Sequence, residues 1–201
     1  MMLELKNINI NHSKTNLIGD LNLIVKENEI WTFKGPSGKG KTTLLKYILG
    51  IKEDVFHYDG NIYLDKIEIT NTPSIQRDIS MIFQNDFLFP NLSVIENLKL
   101  VNRLEKNKPQ SLLVENNLDY LINRMPSNLS GGELSRILLL RILLLNTKLI
   151  LLDEPFNGID KDNKKNIGDF FIKNLINNKK SAILVTHNED DIYDHKKVIK
   201  L

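Results

Sequence analysis

The sequence predicts an α/β fold with a mostly parallel sheet, an N-terminal antiparallel β layer and an inserted helical subdomain, and three observations predict it. A glycine-rich loop, Gly-Pro-Ser-Gly-Lys-Gly-Lys-Thr-Thr at residues 35–43, lies between a strand-like run (Glu29 to Phe33) and a helix-like run (Thr42 to Leu49). Two aliphatic runs, Leu149 to Leu152 and Ser181 to Thr186, have the composition of parallel strands buried on both faces. Between loop and runs, roughly residues 85–128, helix signals replace strand signals.

The elements follow in order. Leu3 to Ile10 alternates apolar and polar residues as a half-buried strand does; after a polar turn at His12 to Asn16, Leu17 to Val25 reads as its antiparallel neighbour. The helix after the glycine-rich loop should end near Gly50, a plausible C′ residue. Gly60 to Leu64 and Ile79 to Phe83 read as strands. Ser93-Val-Ile-Glu96 has the form of a capping box, a further helix is signalled from Gln110, and a third runs from Ser130 to Leu145. Val198 to Leu201 reads as a last strand.

Composition narrows the function. With 41% hydrophobic and 26% charged residues the chain can bury a core, and a net charge of +2 without long runs of one sign gives no sign of a nucleic-acid partner. The absence of cysteine removes thiol catalysis, disulfides and cysteine-held metals. No secretory signal is read at the N-terminus. The stretch Ile137 to Leu145, interrupted by Arg141, falls short of the roughly 20 apolar residues a membrane span needs.

The loop fits G-x-x-x-x-G-K-[ST], with Gly35, Gly40, Lys41 and Thr42 at the fixed positions. A triphosphate needs many donors in a small arc, and backbone N–H groups supply them where no Cβ blocks approach. The candidate cradle is Gly35, Pro36, Ser37, Gly38, Lys39, Gly40, Lys41, Thr42 and Thr43. It feeds a helix N-terminus that favours anions; the Lys41 ammonium can reach the β- and γ-phosphates and the Thr42 hydroxyl can ligate Mg²⁺. The run Leu149 to Leu152 ends in Asp153-Glu154, at a strand's carboxyl end, where α/β sheets bind ligands. Asp153 suits the metal and Glu154 suits an attacking water. Alone, the two acids could equally form an exposed turn.

Loop, acidic strand end and the segment Leu129-Ser-Gly-Gly-Glu133 resemble, over nearly the whole chain, the nucleotide-binding subunit of ATP-binding cassette (ABC) transporters, with a P-loop NTPase core. Ser130 and Glu133 also form a capping box, and the two readings are compatible. The resemblance implies one domain over 1–201: a nucleotide-binding core at about 1–84 and 146–201, and a helical subdomain at about 85–145. It implies ATP and Mg²⁺, hydrolysis, and a head-to-tail dimer with a second cassette in which Ser130, Gly131, Gly132 and Glu133 face the other subunit's γ-phosphate. It also implies integral-membrane transporter subunits as partners and a place on the cytoplasmic face of the membrane. Gln84 matches the glutamine that touches Mg²⁺ and water, or is a polar strand end. Asp160 matches the aspartate that contacts the opposite cassette and is also a candidate N-cap. His187, after an aliphatic strand, matches the histidine that contacts the γ-phosphate, and His12 falls where an aromatic ring stacks on adenine. Phe87, Leu88 and Phe89 are candidates either for docking a membrane partner or for the core. Arg136 and Arg141 fall where the signature helix of the family carries arginines.

The departures are Glu133 in place of the usual glutamine, histidine at 12, and two extra cations: Lys34 and Lys39 either strengthen phosphate attraction or are solvated. The function expected is a transporter ATPase, with a lean to export because only Asn188 to Leu201 follow His187. The alternative is a soluble ABC ATPase of cofactor assembly; the stretch from Thr43 to Gly131 is too short for the coiled-coil insertion of repair ATPases.

Overall fold

The computed structural model describes residues 3–83, 88–101, 105, 107–157, 159, 161–192, 194 and 196–201. The chain divides into two compact units: residues 1–83, 147–155 and 179–201 form the first, and residues 84–146 and 156–178 the second.

In the first unit, β1 (Leu3–His12) pairs antiparallel with β2 (Thr15–Val25) and with β4 (Phe56–Leu64), which carries the short β5 (Ile67–Glu68). This is the expected antiparallel layer, with a bulge the alternation does not show. Leu3 and Leu5 point into the core, but the next buried residues are Ile8 and Ile10, because the register shifts after Leu5 where Asn7 takes a φ of 50°. Gly60 sits across from that bulge with φ 93°, and a Cβ there would fall 2.5 Å from the Asn7 carbonyl oxygen. The strand expected to begin at Gly60 therefore begins at Phe56, and the glycine lies inside it.

The second sheet is parallel throughout, in the order β6 (Ile79–Ile82), β7 (Leu149–Asp153), β8 (Ser181–Thr186), β3 (Ile30–Lys34), β9 (Val198–Lys200). Every residue of β7 and β8 is buried, as their unbroken aliphatic composition requires. α1 (Lys41–Leu49) packs on β7 and β6. It ends at Gly50, φ 96°, with Gly50 N–H donating to the Tyr47 carbonyl and Ile51 N–H to that of Lys46, a Schellman arrangement. Arg77, which no sequence signal marked, takes up the end of this helix: its buried guanidinium donates to the carbonyls of Tyr47, Ile48, Thr70 and Thr72.

The second unit holds α2 (Val94–Val101), α3 (Lys108–Glu115), α4 (Gly131–Leu143) and α5 (Lys161–Asn177), with α4 packed on both α2 and α5. α5 lies along α4 and clusters with it in this unit. Asn97, fully buried at the N-terminal half of α2, donates to the carbonyls of Phe89, Leu92 and Ser93 and accepts from Phe89 N–H, which fixes the loop before the helix. This loop separates two of the docking candidates: Leu88, 4% exposed, belongs to the core, whereas Phe89 is 54% exposed. Phe87 lies outside the described residues. Among the described residues, no helix is long and apolar enough to cross a membrane.

Candidate nucleotide-binding site

Three neighbouring strands of the parallel sheet bring the site together at their carboxyl ends. β3 runs into the glycine-rich loop, β7 ends at Asp153 with Glu154 next, and β8, which lies between them, ends at Thr186 with His187 next. Ligands of open α/β sheets sit at this edge.

The loop takes its shape from two left-handed glycines, Gly38 (φ 82°) and Gly40 (φ 79°). Gly40 is also the N-cap of α1, a Cβ there would fall 2.9 Å from Leu17 Cβ, and no side chain caps the helix among the described residues. The first N–H groups of α1 are thus left to a ligand, where the helix dipole favours an anion. Lys41 is 5% exposed, and its Nζ donates to the carbonyls of Gly35 (2.8 Å) and Pro36 (2.9 Å). An ammonium has three protons; two hold the loop closed and the third can meet a phosphate oxygen.

Thr42 Oγ1 donates to Asp153 Oδ1 at 3.1 Å, joining residues 111 positions apart. Burial pushes the Asp153 carboxyl above the usual carboxylate range, against the lowering effect of the Thr42 hydrogen bond. A divalent cation would relieve that cost, and a hydroxyl beside a carboxylate is the hard oxygen pair that suits Mg²⁺. Among the described residues no group of three or more His, Cys, Asp or Glu could hold a metal. An ion at Thr42 and Asp153 would therefore draw its other ligands from phosphate and water, as Mg²⁺ commonly does.

Glu154 leaves the strand with φ 47°, an uncommon conformation for a side-chain-bearing residue, held by its N–H donating to the Val185 carbonyl at 3.0 Å. Its Oε1 lies 2.9 Å from His187 Nδ1. A carboxylate only accepts, so Nδ1 carries the proton of this contact. Glu154 and His187, 33 positions apart in sequence, thus touch.

His12, at the end of β1, pairs across the sheet with Thr15 and Phe56, and its ring centroid lies 5.3 Å from that of Phe56. Leu17, two residues beyond Thr15, is the neighbour of Gly40, so this end of the hairpin approaches the phosphate loop. Ser37 and Lys39 are exposed in the loop. Lys34 is neither a free phosphate attractor nor merely solvated; it forms an ion pair with Glu189. Gln84 and Asp160 lie outside the described residues.

The signature residues belong to the second unit. Ser130 is the N-cap of α4 in a complete capping box: Glu133 N–H donates to Ser130 Oγ, and Glu133 Oε2 accepts from Ser130 N–H (2.8 Å) and Oγ (2.9 Å). A Cβ at Gly131 would meet nothing within 4 Å, so no packing demands a glycine there. Glu133 also accepts from the Tyr120 hydroxyl at 3.0 Å. The Ser130 backbone N–H, above all, holds the Glu133 carboxyl below the usual range, and the bond to Glu133 raises the Tyr120 phenol. Arg136 stacks near the Phe170 ring, 5.8 Å from its centroid. Tyr120 was missed because its partner is set by a turn; a tyrosine outside the motif carries no sequence mark.

Residues 18–157 match the family model described as ABC transporter. The chain belongs to the ABC transporter family. Among its relatives, the uncharacterized ABC transporter ATP-binding protein YnjD of Escherichia coli K12 is 32% identical over 95% of this chain and 91% of its own length. The sulfate/thiosulfate import ATP-binding protein CysA of Halalkalibacterium halodurans is 30% identical over 96% of this chain and 57% of its own length. The spermidine/putrescine import ATP-binding protein PotA of Aggregatibacter actinomycetemcomitans is 33% identical over 94% of this chain and 52% of its own. The chain thus spans about half the length of these import proteins. A putative ABC transporter ATP-binding protein from Pyrococcus furiosus has the same fold, with a TM-score of 0.81, 24% identity, and coverage of 100% of this chain and 98% of the other. So does a nucleotide-free ATP-binding cassette from an ABC transporter, with a TM-score of 0.81, 21% identity and coverage of 100% and 87%. The ABC chain described here therefore has the ATP-binding cassette fold of its family.

Proposed function

We propose that this chain hydrolyses ATP to drive the membrane subunits of an ABC transporter. The observation that supports the reading is the Thr42–Asp153 hydrogen bond beside the Glu154–His187 contact, a hydroxyl–carboxylate pair and a carboxylate–imidazole pair at one sheet edge. In this reading the loop N–H groups and Lys41 hold the β- and γ-phosphates, and Thr42 and Asp153 hold Mg²⁺, which supplies charge neutralisation between the phosphates. Glu154 orients and deprotonates the attacking water, and His187, held on Glu154 through Nδ1, lies beside the γ-phosphate. Gln84 joins the metal and the water. Ser130, Gly131, Gly132 and Glu133 meet the nucleotide of a second cassette, and Asp160 lies at that same interface. His12 stacks on the base. Closure of two cassettes on ATP moves the membrane partner, and hydrolysis resets it.

Export, the direction expected from the sequence, is not supported by the CysA and PotA relatives named above, which are import proteins. We take import as the direction and the cytoplasmic face of the membrane as the place of work. Affinity purification of a tagged Glu154→Gln chain from solubilised native membranes with Mg-ATP tests the reading. Recovery of a multi-span membrane protein is expected; recovery of soluble assembly proteins alone would overturn it in favour of a cofactor-assembly ATPase.

A further inference from the structure

The turn that carries His187 is gripped at both ends by residues with no place in the chemistry above. Thr186, the last residue of β8 and 1% exposed, donates its hydroxyl proton to Asp191 Oδ2 at 2.5 Å. The same Thr186 oxygen accepts from Asn188 N–H at 3.0 Å, and Asp191 N–H donates to the Asn188 carbonyl. Asp191 is itself 4% exposed. The hydrogen bonds therefore close a ring around His187, from the residue before it to the residue after it and on to Asp191. A second tether runs outward from the same turn: Glu189 pairs with Lys34, the last residue of β3, just before the phosphate loop. Charge-assisted hydrogen bonds out of water are the strong ones, so the buried Thr186–Asp191 bond dominates and the more exposed ion pair is secondary.

We propose that Asp191 is a positioning residue: acting through Thr186, it holds the His187 ring against Glu154. The proposal rests on the assignment of His187 to the γ-phosphate. A ring displaced by about 1 Å loses its transition-state contact without much change in nucleotide binding. The test compares the unaltered chain with Thr186→Val, Thr186→Ser, Asp191→Ala and Asp191→Asn, measuring ATP turnover and, without nucleotide, the ring resonances of ¹³C-labelled histidine, with His187 assigned by its own substitution. Thr186→Val and Asp191→Ala are expected to lower kcat about tenfold with KM changed less than about twofold, and to shift the His187 resonance. Thr186→Ser, which keeps the hydroxyl, restores both. An unchanged kcat with a native His187 resonance in Thr186→Val overturns the proposal, as does a Thr186→Ser chain as impaired as Thr186→Val. If Asp191→Ala does not fold, Asp191→Asn and the threonine pair decide. If the unaltered chain does not turn ATP over, the proposed function fails by itself, and the His187 resonance alone decides the positioning role.

Discussion

The two units hold their candidate site residues in opposite ways. In the first, polar groups are partnered over long sequence separations: Thr42 with Asp153, Glu154 with His187, Lys34 with Glu189. The sheet makes those partnerships, because β7, β8 and β3 are adjacent and end at the same edge. In the second unit the signature is satisfied within four residues, Ser130 to Glu133, with Tyr120 added from a nearby turn. One site is made by tertiary structure and the other by a helix start. The first should therefore respond to substitution with coupled losses of chemistry and stability, and the second should let function and folding be separated.

The largest expected effect breaks the comparison most directly. Glu154→Gln should lower ATP turnover by about 100-fold or more while leaving nucleotide binding intact; phosphate release and equilibrium binding on one preparation check it. Turnover that persists would remove the base from the first unit altogether.

Next comes Gly131→Ala. The added Cβ has open space around it and alanine is favoured over glycine in a helix by up to about 1 kcal/mol, so thermal stability should hold or rise. Turnover should nevertheless fall about tenfold, since the N–H groups lose their open approach to a phosphate. Calorimetry beside turnover checks both, and a large loss of stability would show that the signature is not the locally built site described here.

Asp153→Asn sharpens the other half. Because burial raises the Asp153 pKa in the folded chain, the folded state binds this proton more tightly than the unfolded state does. Stability therefore falls as pH rises from the ordinary carboxylate range through the raised value. The asparagine variant avoids that cost, so at neutral pH without Mg²⁺ it should be more stable by about 1 kcal/mol, with the advantage vanishing at acid pH. It should also lose stabilisation by Mg-ATP. Thermal melts across pH, with and without Mg-ATP, measure this.

The smallest effect concerns the hairpin end. His12→Ala should weaken nucleotide binding about fivefold through lost stacking, whereas inorganic triphosphate, which has no base, should bind equally well to both chains. Equal losses for the two ligands would place His12 in the fold and not against the base.

The sequence alone determined the local features of this chain. The glycine pattern of residues 35–43 dictated a left-handed, N–H-rich loop because only residues without a Cβ take those conformations cheaply. The aliphatic runs dictated doubly buried strands, and the spacing of Ser130 and Glu133 dictated a capped helix, because each depends on neighbours a few positions away. The β1 bulge escaped because an extra residue in one strand is set by its partner, Gly60, and not by its own alternation. Arg77, Tyr120 and Asp191 escaped for a similar reason: a buried guanidinium at a helix end, a phenol on a carboxylate and an acid under a threonine look in sequence like solvated surface residues. Asp191 in particular lies in the acidic run Glu189-Asp190-Asp191, where only its burial separates it from its neighbours. Which of three adjacent carboxylates turns inward is decided by where the sheet ends and the chain turns back, a property of long-range packing that no local pattern encodes.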